Sequence, residues 1–200
     1  MRAAALLLLA GWLLGGCGGG GGGSAPGVDD PADLTNSGWA AFESGEWTEA
    51  AALFRSAIAA DSIYGDAYNG LGWTRARADS LGAAVEAFDA SIRTGLKSAD
   101  PHAGKAVVLR DLTPPDYPGA IAAARAALSW SRDYRFDHDA SFDWMDLRVL
   151  LAQSLFAITD YEMANAEVDT MGGTPATPGS PSFARNLLAE IERLSVESAR

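Results

Sequence analysis

The chain has 200 residues, and 48% of them are hydrophobic, which is enough apolar surface to form a buried core. Acidic side chains outnumber basic ones by 26 to 15, and the formal net charge is −11. Because proteins that bind nucleic acids present a basic surface to the phosphates, this charge balance excludes nucleic acid from the predicted partners.

The chain begins with a short apolar segment that is typical of a secretion signal. Arg2 precedes an apolar run at residues 3–14, and a transmembrane helix needs about 20 such residues, so the run is too short to cross a bilayer. It ends in Leu-Gly-Gly-Cys at residues 14–17, which resembles the lipobox of bacterial lipoproteins. This resemblance implies a signal peptide at residues 1–16 and a lipid-modified Cys17. An ordinary signal peptide with an incidental cysteine is the alternative.

A glycine-rich segment follows, and its composition is typical of a flexible tether. We expect residues 17–32, with Cys17 as the lipidated N-terminus, to hold a folded domain about 20 Å from the bilayer. Gly18 stands directly after Cys17, in place of the aspartate that retains enteric lipoproteins in the inner membrane. By resemblance to that sorting rule, we expect the protein in the cell outer membrane, anchored by lipid on the periplasmic side.

Residues 38–58 are followed by a second copy of their pattern, 34 residues further along the chain. The matching residues are Gly38, Trp39, Ala50, Phe54 and Ile58 in the first copy and Gly72, Trp73, Ala84, Phe88 and Ile92 in the second. A fixed period of about 34 residues is typical of an array of helix-turn-helix units. The second copy resembles the tetratricopeptide motif at Tyr68, Leu71, Gly72, Ala84 and Phe88. This resemblance implies an all-α, right-handed α-solenoid in which Ala50 and Ala84 lie where two helices touch.

Helical periodicity and helix-end signals predict three to four helix pairs followed by a capping helix. The predicted helices cover residues 31–44, 47–60, 66–78, 82–94, 101–112, 118–132, 142–158, 161–171 and 182–198. Asp33 or a neighbour is the predicted N-cap of the first one. We assign the repeats to residues 33–171, a connector rich in Pro and Gly to residues 172–181, and the amphipathic capping helix to residues 182–200.

An insertion at residues 133–141 interrupts the period. It belongs to a stretch that combines possible cation ligands with aromatic rings, namely Tyr134, Phe136, Asp137, His138, Asp139, Phe142, Asp143, Trp144 and Asp146. The acidic residues match no fixed spacing of a metal-binding loop. Aromatic rings beside carboxylates are typical of a sugar site, and equally of a long loop that folds back onto its helices. The alternative function is therefore a ligand-binding (glycan or divalent cation) or enzymatic lipoprotein that uses residues 133–146.

The resemblance to tetratricopeptide arrays also implies a binding surface. In such arrays the first helix of each pair lines a concave groove, and the residue after the glycine faces it. Here that residue is Trp39 in the first unit and Trp73 in the second. Phe42 and Arg77 lie one helical turn later, and Asn69 lies one turn before Trp73. We predict that these five residues form a partner-binding groove, and the alternative is that the tryptophans pack between neighbouring units.

The predicted function is that of a scaffold or assembly factor that binds a protein or peptide partner in the cell envelope, as the family resemblance implies. The sequence contains no Gly-x-Ser-x-Gly motif, no His-Glu-x-x-His motif and no phosphate-binding loop. We therefore predict no catalytic residue, no metal ligand and no cofactor, and we predict that the protein is not an enzyme.

The lipobox resemblance generates the first testable prediction. Mass spectrometry of the mature protein is expected to find an acylated Cys17 at its N-terminus, and Cys17→Ser is expected to move the protein from the membrane fraction to the soluble fraction. A serine variant that stays with the membrane would contradict the assignment of Cys17 as the anchor.

Overall fold

The computed structural model describes residues 30–199, which form nine α-helices. They are α1 (Pro31–Glu43), α2 (Trp47–Ala60), α3 (Gly65–Arg77), α4 (Leu81–Arg93), α5 (Asp100–Asp111), α6 (Tyr117–Trp130), α7 (Trp144–Ala157), α8 (Tyr161–Thr170) and α9 (Phe183–Ser198). Each helix coincides with a predicted one to within two residues at either end. Helical periodicity therefore predicted the elements correctly, including those after the insertion.

Aspartate side chains begin several of these helices. Asp30, not Asp33, caps α1: its carboxylate accepts a hydrogen bond of 2.9 Å from the amide of Ala32, because α1 starts directly after Asp30. Asp143 and Asp146 form a capping box at the start of α7, in which each carboxylate accepts a hydrogen bond from a backbone amide near the other. This capping box sets the end of the insertion.

The helices form four pairs in chain order, α1–α2, α3–α4, α5–α6 and α7–α8, and α9 packs against α7 and α8. Each odd-numbered helix also contacts the next odd-numbered helix, whereas within residues 30–199 no close backbone contact joins two even-numbered helices. The odd-numbered helices therefore lie on the inner, concave side of a curved stack. This architecture confirms the predicted α-solenoid, with four helix pairs and a capping helix.

Glycines on the odd-numbered helices make room for an aromatic ring from the even-numbered helix between them. The ring of Phe54 on α2 lies between Gly38 on α1 and Gly70 on α3. A Cβ atom at Gly38 would sit 2.7 Å from Phe54 Cε1, and one at Gly70 would overlap the ring. Phe54 is completely buried, as are Ala50 and Ala84, the two alanines predicted to lie at helix contacts.

The ring-and-glycine arrangement recurs one period later and then stops. Phe88 on α4 lies between Gly72 on α3 and Gly104 on α5, and a Cβ atom at Gly72 would sit 2.6 Å from Phe88 Cε1. In the third unit, Ala106 follows Gly72 by 34 residues and Ala124 follows Phe88 by 36, and both alanines are completely buried. Two small side chains thus replace the ring and the glycine, so the helices pack without either.

The connector at residues 172–181 is tied to both neighbouring helices. The Asn165 side chain on α8 donates to the Ala176 carbonyl and accepts from the Ala176 amide, at 3.2 and 2.7 Å. On α9, Glu190 accepts a hydrogen bond of 2.7 Å from the Thr174 amide. Hydrogen bonds from Arg193 and from Thr174 lower the pKa of Glu190 to about 2. These contacts hold α9 over the last pair, where it buries an apolar stripe (Leu187, Ile191 and Leu194).

The glycine contacts generate a prediction with a matched control. Gly70→Ala is expected to lower the melting temperature, because the added methyl group overlaps Phe54, which Gly38 prevents from retreating, and overpacking of this kind costs about 1–3 kcal/mol. Gly82→Ala, with no atom within 4 Å of its Cβ position, is expected to raise the melting temperature because alanine favours helix by about 1 kcal/mol. Thermal unfolding followed by circular dichroism measures both. Equal shifts in the same direction would contradict the packing described for Phe54.

Candidate functional site

The insertion between α6 and α7 folds back over the concave side of the first helix pairs. We call residues 131–143 the strap. The strap buries two aromatic side chains, Tyr134 and Phe136. The ring of Phe136 contacts three aromatic side chains on α1 and α3: Trp39, Phe42 and Trp73. The segment that interrupts the period in the sequence therefore covers the groove that the period creates.

Two rings of the strap stack on the two tryptophans that mark the repeat. Phe136 stacks on Trp73, with ring centroids 4.2 Å apart and planes inclined by 22°. His138 lies flat on Trp39, with centroids 3.7 Å apart and planes inclined by 4°. Trp39 and Phe42 each meet Phe136 edge-on, at 6.0 Å. Since aromatic pairs contribute about 0.5–1.5 kcal/mol each beyond the burial of their surface, ring packing is the main attachment of the strap.

Two charged contacts flank the stacked rings at equivalent positions of the repeat. Glu43 Oε1 lies 2.8 Å from His138 Nδ1, and the Arg77 guanidinium pairs with the Asp139 carboxylate. Glu43 and Arg77 each follow their repeat tryptophan by four residues, so α1 offers a carboxylate where α3 offers a cation. All four side chains are partly exposed, and each pair therefore contributes at most about 1 kcal/mol. The strap therefore meets α1 with an imidazole and α3 with a carboxylate.

Hydrogen bonds also lower the pKa of Asp139 in the strap. Partial burial alone would raise the pKa of Asp139, but the hydroxyl and amide of Ser141 and the Arg77 guanidinium outweigh it and hold the pKa below its ordinary value. Because the folded-state pKa is lowered, this contact stabilises the strap above about pH 4, the ordinary pKa of an aspartate. The stabilisation is lost as the pH falls through the lowered pKa.

Two aspartates one period apart, Asp66 and Asp100, contact the covered groove in different ways. Trp39 Nε1 donates a hydrogen bond of 3.1 Å to Asp66. In the next unit Asp100 interacts instead with Tyr134 of the strap, whose hydroxyl forms no well-aligned hydrogen bond, and the indole N–H of Trp73 has no acceptor within residues 30–199. Burial raises the pKa of Asp100, and the Tyr134 hydroxyl partly offsets the rise. The two repeated aspartates therefore differ: Asp66 binds the indole of its repeat tryptophan, and Asp100 lies near the strap.

The five residues predicted to bind a partner all lie on α1 and α3. Trp39, Phe42 and Trp73 contact the strap, which leaves 4%, 2% and 3% of their surfaces exposed. Asn69 is also buried, and its amide group donates a hydrogen bond within α3. Arg77 keeps an exposed guanidinium at the edge of the strap. A role in partner binding stays a prediction for these residues, and for the three aromatic ones it requires that the strap moves away.

The rest of the concave face is open. Beside the strap lies a cavity of about 400 Å³ between α3, α5, α7 and the end of α9. Its lining combines apolar side chains with two arginines, two aspartates and a glutamine: Arg77, Val107, Arg110, Asp111, Phe142, Asp146, Val149 and Gln153. Arg110 pairs with Asp111 at 2.7 Å. This cavity is the concave surface that a second molecule can reach without displacing the strap.

Sequence reasoning assigned Arg77 and Trp73 to a binding groove and named Phe142 and Asp146 only for the glycan and cation alternatives. It missed Val107, Arg110, Val149 and Gln153. Val107 follows Trp73 by 34 residues, so the period, extended into the degenerate third unit, was the signal that could have found it. Val149 and Gln153 follow the insertion, where the register is lost, and no comparable signal pointed to them. Their place in the cavity depends on how α7 packs against α5.

The acidic residues of the insertion are engaged in other contacts. Asp139 pairs with Arg77, and Asp143 and Asp146 cap α7. Within residues 30–199, no group of three or more His, Cys, Asp and Glu side chains is arranged to hold a metal ion. These contacts engage three of the four aspartates that the cation alternative named, whereas Asp137 is exposed. Burial of the Tyr134 and Phe136 rings covers two of the four aromatic side chains that the glycan alternative named.

Comparisons with solved structures identify the fold. YrrB, described as a TPR protein with an unusual peptide-binding site, gives a TM-score of 0.64 at 17% identity, over 84% of this chain and 88% of that one. A thermophilic TPR protein from Thermus thermophilus gives 0.56 at 14% identity, over 84% and 86%. The chain has the tetratricopeptide-repeat (TPR) fold. MamA from Desulfovibrio magneticus RS-1 gives 0.57 at 14% identity, over 71% and 73%. No family model and no curated protein matches the sequence.

The predicted lipid anchor is separate from the TPR fold. Cys17, the signal peptide at residues 1–16 and nearly all of the tether lie outside the described residues. Among the helices of residues 30–199, none is long and apolar enough to cross a membrane.

Burial beneath the strap generates a prediction with a matched control. Trp39→Ala is expected to destabilise the TPR fold by about 3–5 kcal/mol, because it removes a large ring packed between α1, α2 and the strap. Trp130→Ala removes the same side chain where 53% of its surface is exposed, and is expected to change stability by less than about 0.5 kcal/mol. Urea unfolding followed by circular dichroism compares them. Equal midpoints would contradict the packing of Trp39.

Proposed function

We propose that the protein is an outer-membrane lipoprotein, anchored through Cys17 and facing the periplasm, whose TPR domain binds a protein partner of the cell envelope. In this role it is a scaffold or assembly factor and catalyses no reaction. The observation that carries the binding role is the open cavity on the concave face beside the strap.

The chemistry of this cavity favours a peptide segment that carries an apolar side chain and a carboxylate. Val107, Val149 and Phe142 supply apolar walls. Arg77 and Arg110 each pair with one aspartate of the chain, Asp139 and Asp111, and each guanidinium keeps further N–H donors that can bind a carboxylate of a ligand. The volume of about 400 Å³ lies in the range of ligand pockets. YrrB, which has the same fold, is described as having a peptide-binding site, and this supports a peptide as the occupant here.

The location rests on the N-terminal sequence. The short apolar run, the Leu-Gly-Gly-Cys motif and the glycine-rich tether follow one another in the order that a lipoprotein requires. Two or more acyl chains on Cys17 would anchor the chain stably, whereas a single chain binds only marginally. The tether would leave the concave face free to meet partners at a distance from the bilayer.

The proposal predicts the outcome of a charge-reversal experiment. The full chain carrying Arg110→Glu is used as bait in a solubilised envelope extract, followed by mass spectrometry. Capture of the partner is expected to fall by at least about thirtyfold, because removal of a central interface residue costs about 2 kcal/mol of binding energy.

Arg125→Glu is the matched control. Arg125 is exposed on α6 and has no ion-pair partner within residues 30–199, so this variant changes the net charge equally without altering the cavity. It is expected to capture the partner like the unmodified chain. If both variants capture it equally, or both lose it, the cavity is not the binding site.

A further inference from the structure

The strap is attached to α1 and α3 through side chains alone. Its backbone hydrogen bonds within residues 30–199 are made inside the strap or to the ends of the two helices that it joins. The Phe136 amide donates to the Phe142 carbonyl at 3.1 Å, and the Trp144 amide donates to the Tyr134 carbonyl at 2.7 Å. A segment held in this way can leave the groove without breaking any backbone hydrogen bond to the repeats.

The strap is also a folded unit of its own. The Asp139 carboxylate accepts hydrogen bonds from the amide and the hydroxyl of Ser141, at 3.0 and 2.6 Å, which closes a tight turn between Phe136 and Phe142. Arg135 and Asp143 form an isolated antiparallel bridge at its base. Because these contacts are local, the turn of the strap forms without any hydrogen bond from the groove to its backbone.

Each group that the strap presents has a counterpart at a repeated position of the groove. The Phe136 ring fits between the two repeat tryptophans, and the Asp139 carboxylate meets Arg77, one turn after the second of them. His138 lies between these two residues in the strap and covers Trp39. A ligand that spans two units of the array and contacts the equivalent residue of each would make contacts of this kind.

We propose that the strap is a tethered ligand of the groove between α1 and α3, and that it excludes a partner segment of similar chemistry. That segment carries an aromatic side chain followed three residues later by a carboxylate, as Phe136 and Asp139 do. This inference rests on the proposed partner-binding function and adds a second binding surface, next to the open cavity. Arg77 lies at the border of the two surfaces, so a peptide held in the cavity is placed to displace the strap.

The covalent connection of the strap to α6 and α7 sets the condition that such a partner must meet. The strap is joined at both ends to helices of the same domain, so it competes with a partner from a high effective concentration. The apparent affinity of a partner for the groove is reduced because only the molecules with an open strap can bind it. A partner that first occupies the cavity and displaces the strap recovers this loss of affinity. The strap therefore selects for partners that engage both surfaces.

A peptide experiment tests the proposal without knowledge of the natural partner. In one variant of the full chain, residues 135–141 are replaced by glycine and serine, and Tyr134, Phe142 and Asp143 are retained. The probe is a synthetic peptide with the sequence of residues 135–141. In NMR spectra, the peptide is expected to shift the indole N–H resonances of Trp39 and Trp73 in the variant until the site is saturated. It is expected to leave these resonances unchanged in the unmodified chain. Peptides with alanine in place of Phe136 or Asp139 are expected to bind at least about tenfold more weakly.

Three results of this experiment would overturn the proposal. In the first, the folded variant does not bind the peptide. In the second, the unmodified chain binds it equally well. In the third, unmodified chains associate with one another while the variant stays monomeric in light scattering, which makes the strap of a second copy the occupant. Loss of peptide binding would leave the Arg110 experiment unaffected, so failure of this inference is distinct from failure of the proposed function.

Hydrogen exchange on the unmodified chain decides the question even if the variant does not fold. The amides of Phe136 and Trp144 are expected to exchange at least about tenfold faster than the buried amides of α3, because the strap opens while the repeats stay folded and a short hairpin in water protects its own amides only weakly. Arg77→Ala is expected to raise the strap rates further, whereas Arg55→Ala, an exposed arginine on α2, is not. Strap amides that exchange at the rate of α3 would show that the strap opens only with global unfolding, and would overturn the proposal.

Discussion

Packing of a phenylalanine ring between two glycine backbones is the contact on which the array depends. Phe54 and Phe88 each touch the backbone of two successive odd-numbered helices, and an added methyl group at any of the four glycines would meet a ring. The contact therefore fixes how far apart α1, α3 and α5 lie. Because a buried ring has no room to shift, this spacing is rigid. The rest of the concave face is built on helices held in this way.

The same spacing places two tryptophan rings side by side on the concave face, where they would be exposed to water without a covering segment. Trp39 directly follows Gly38, and Trp73 directly follows Gly72, so the helix that turns this glycine toward the ring turns its tryptophan toward the concave side. Two large rings exposed to water side by side would form an apolar patch of the kind that soluble proteins reserve for binding. The strap fills this place with Phe136 and His138. The array thus carries an internal occupant over one half of its concave face and an open cavity over the other.

This division fits the function that we propose. A scaffold protein on a lipid tether gains from a surface that stays covered until a suitable partner arrives, because an exposed aromatic groove would bind many proteins of the envelope indiscriminately. The chain has a net charge of −11, and at the cavity two arginines balance the two aspartates Asp111 and Asp146.

The sequence by itself determined the helices, their pairing and the 34-residue phase that puts Trp39 and Trp73 on one surface, because these properties follow from periodicity within about 40 residues. It placed the N-cap at Asp33 or a neighbour, and the structure uses Asp30, since local signals of that kind shift by a few residues. Only the tertiary structure decided where the strap lies. Its contacts join His138 to Glu43 and Asp139 to Arg77, which are 95 and 62 residues apart in the chain, and no local pattern encodes a pairing at such a distance. The open cavity was equally hidden, since it exists only where α3, α5, α7 and α9 curve around the same space.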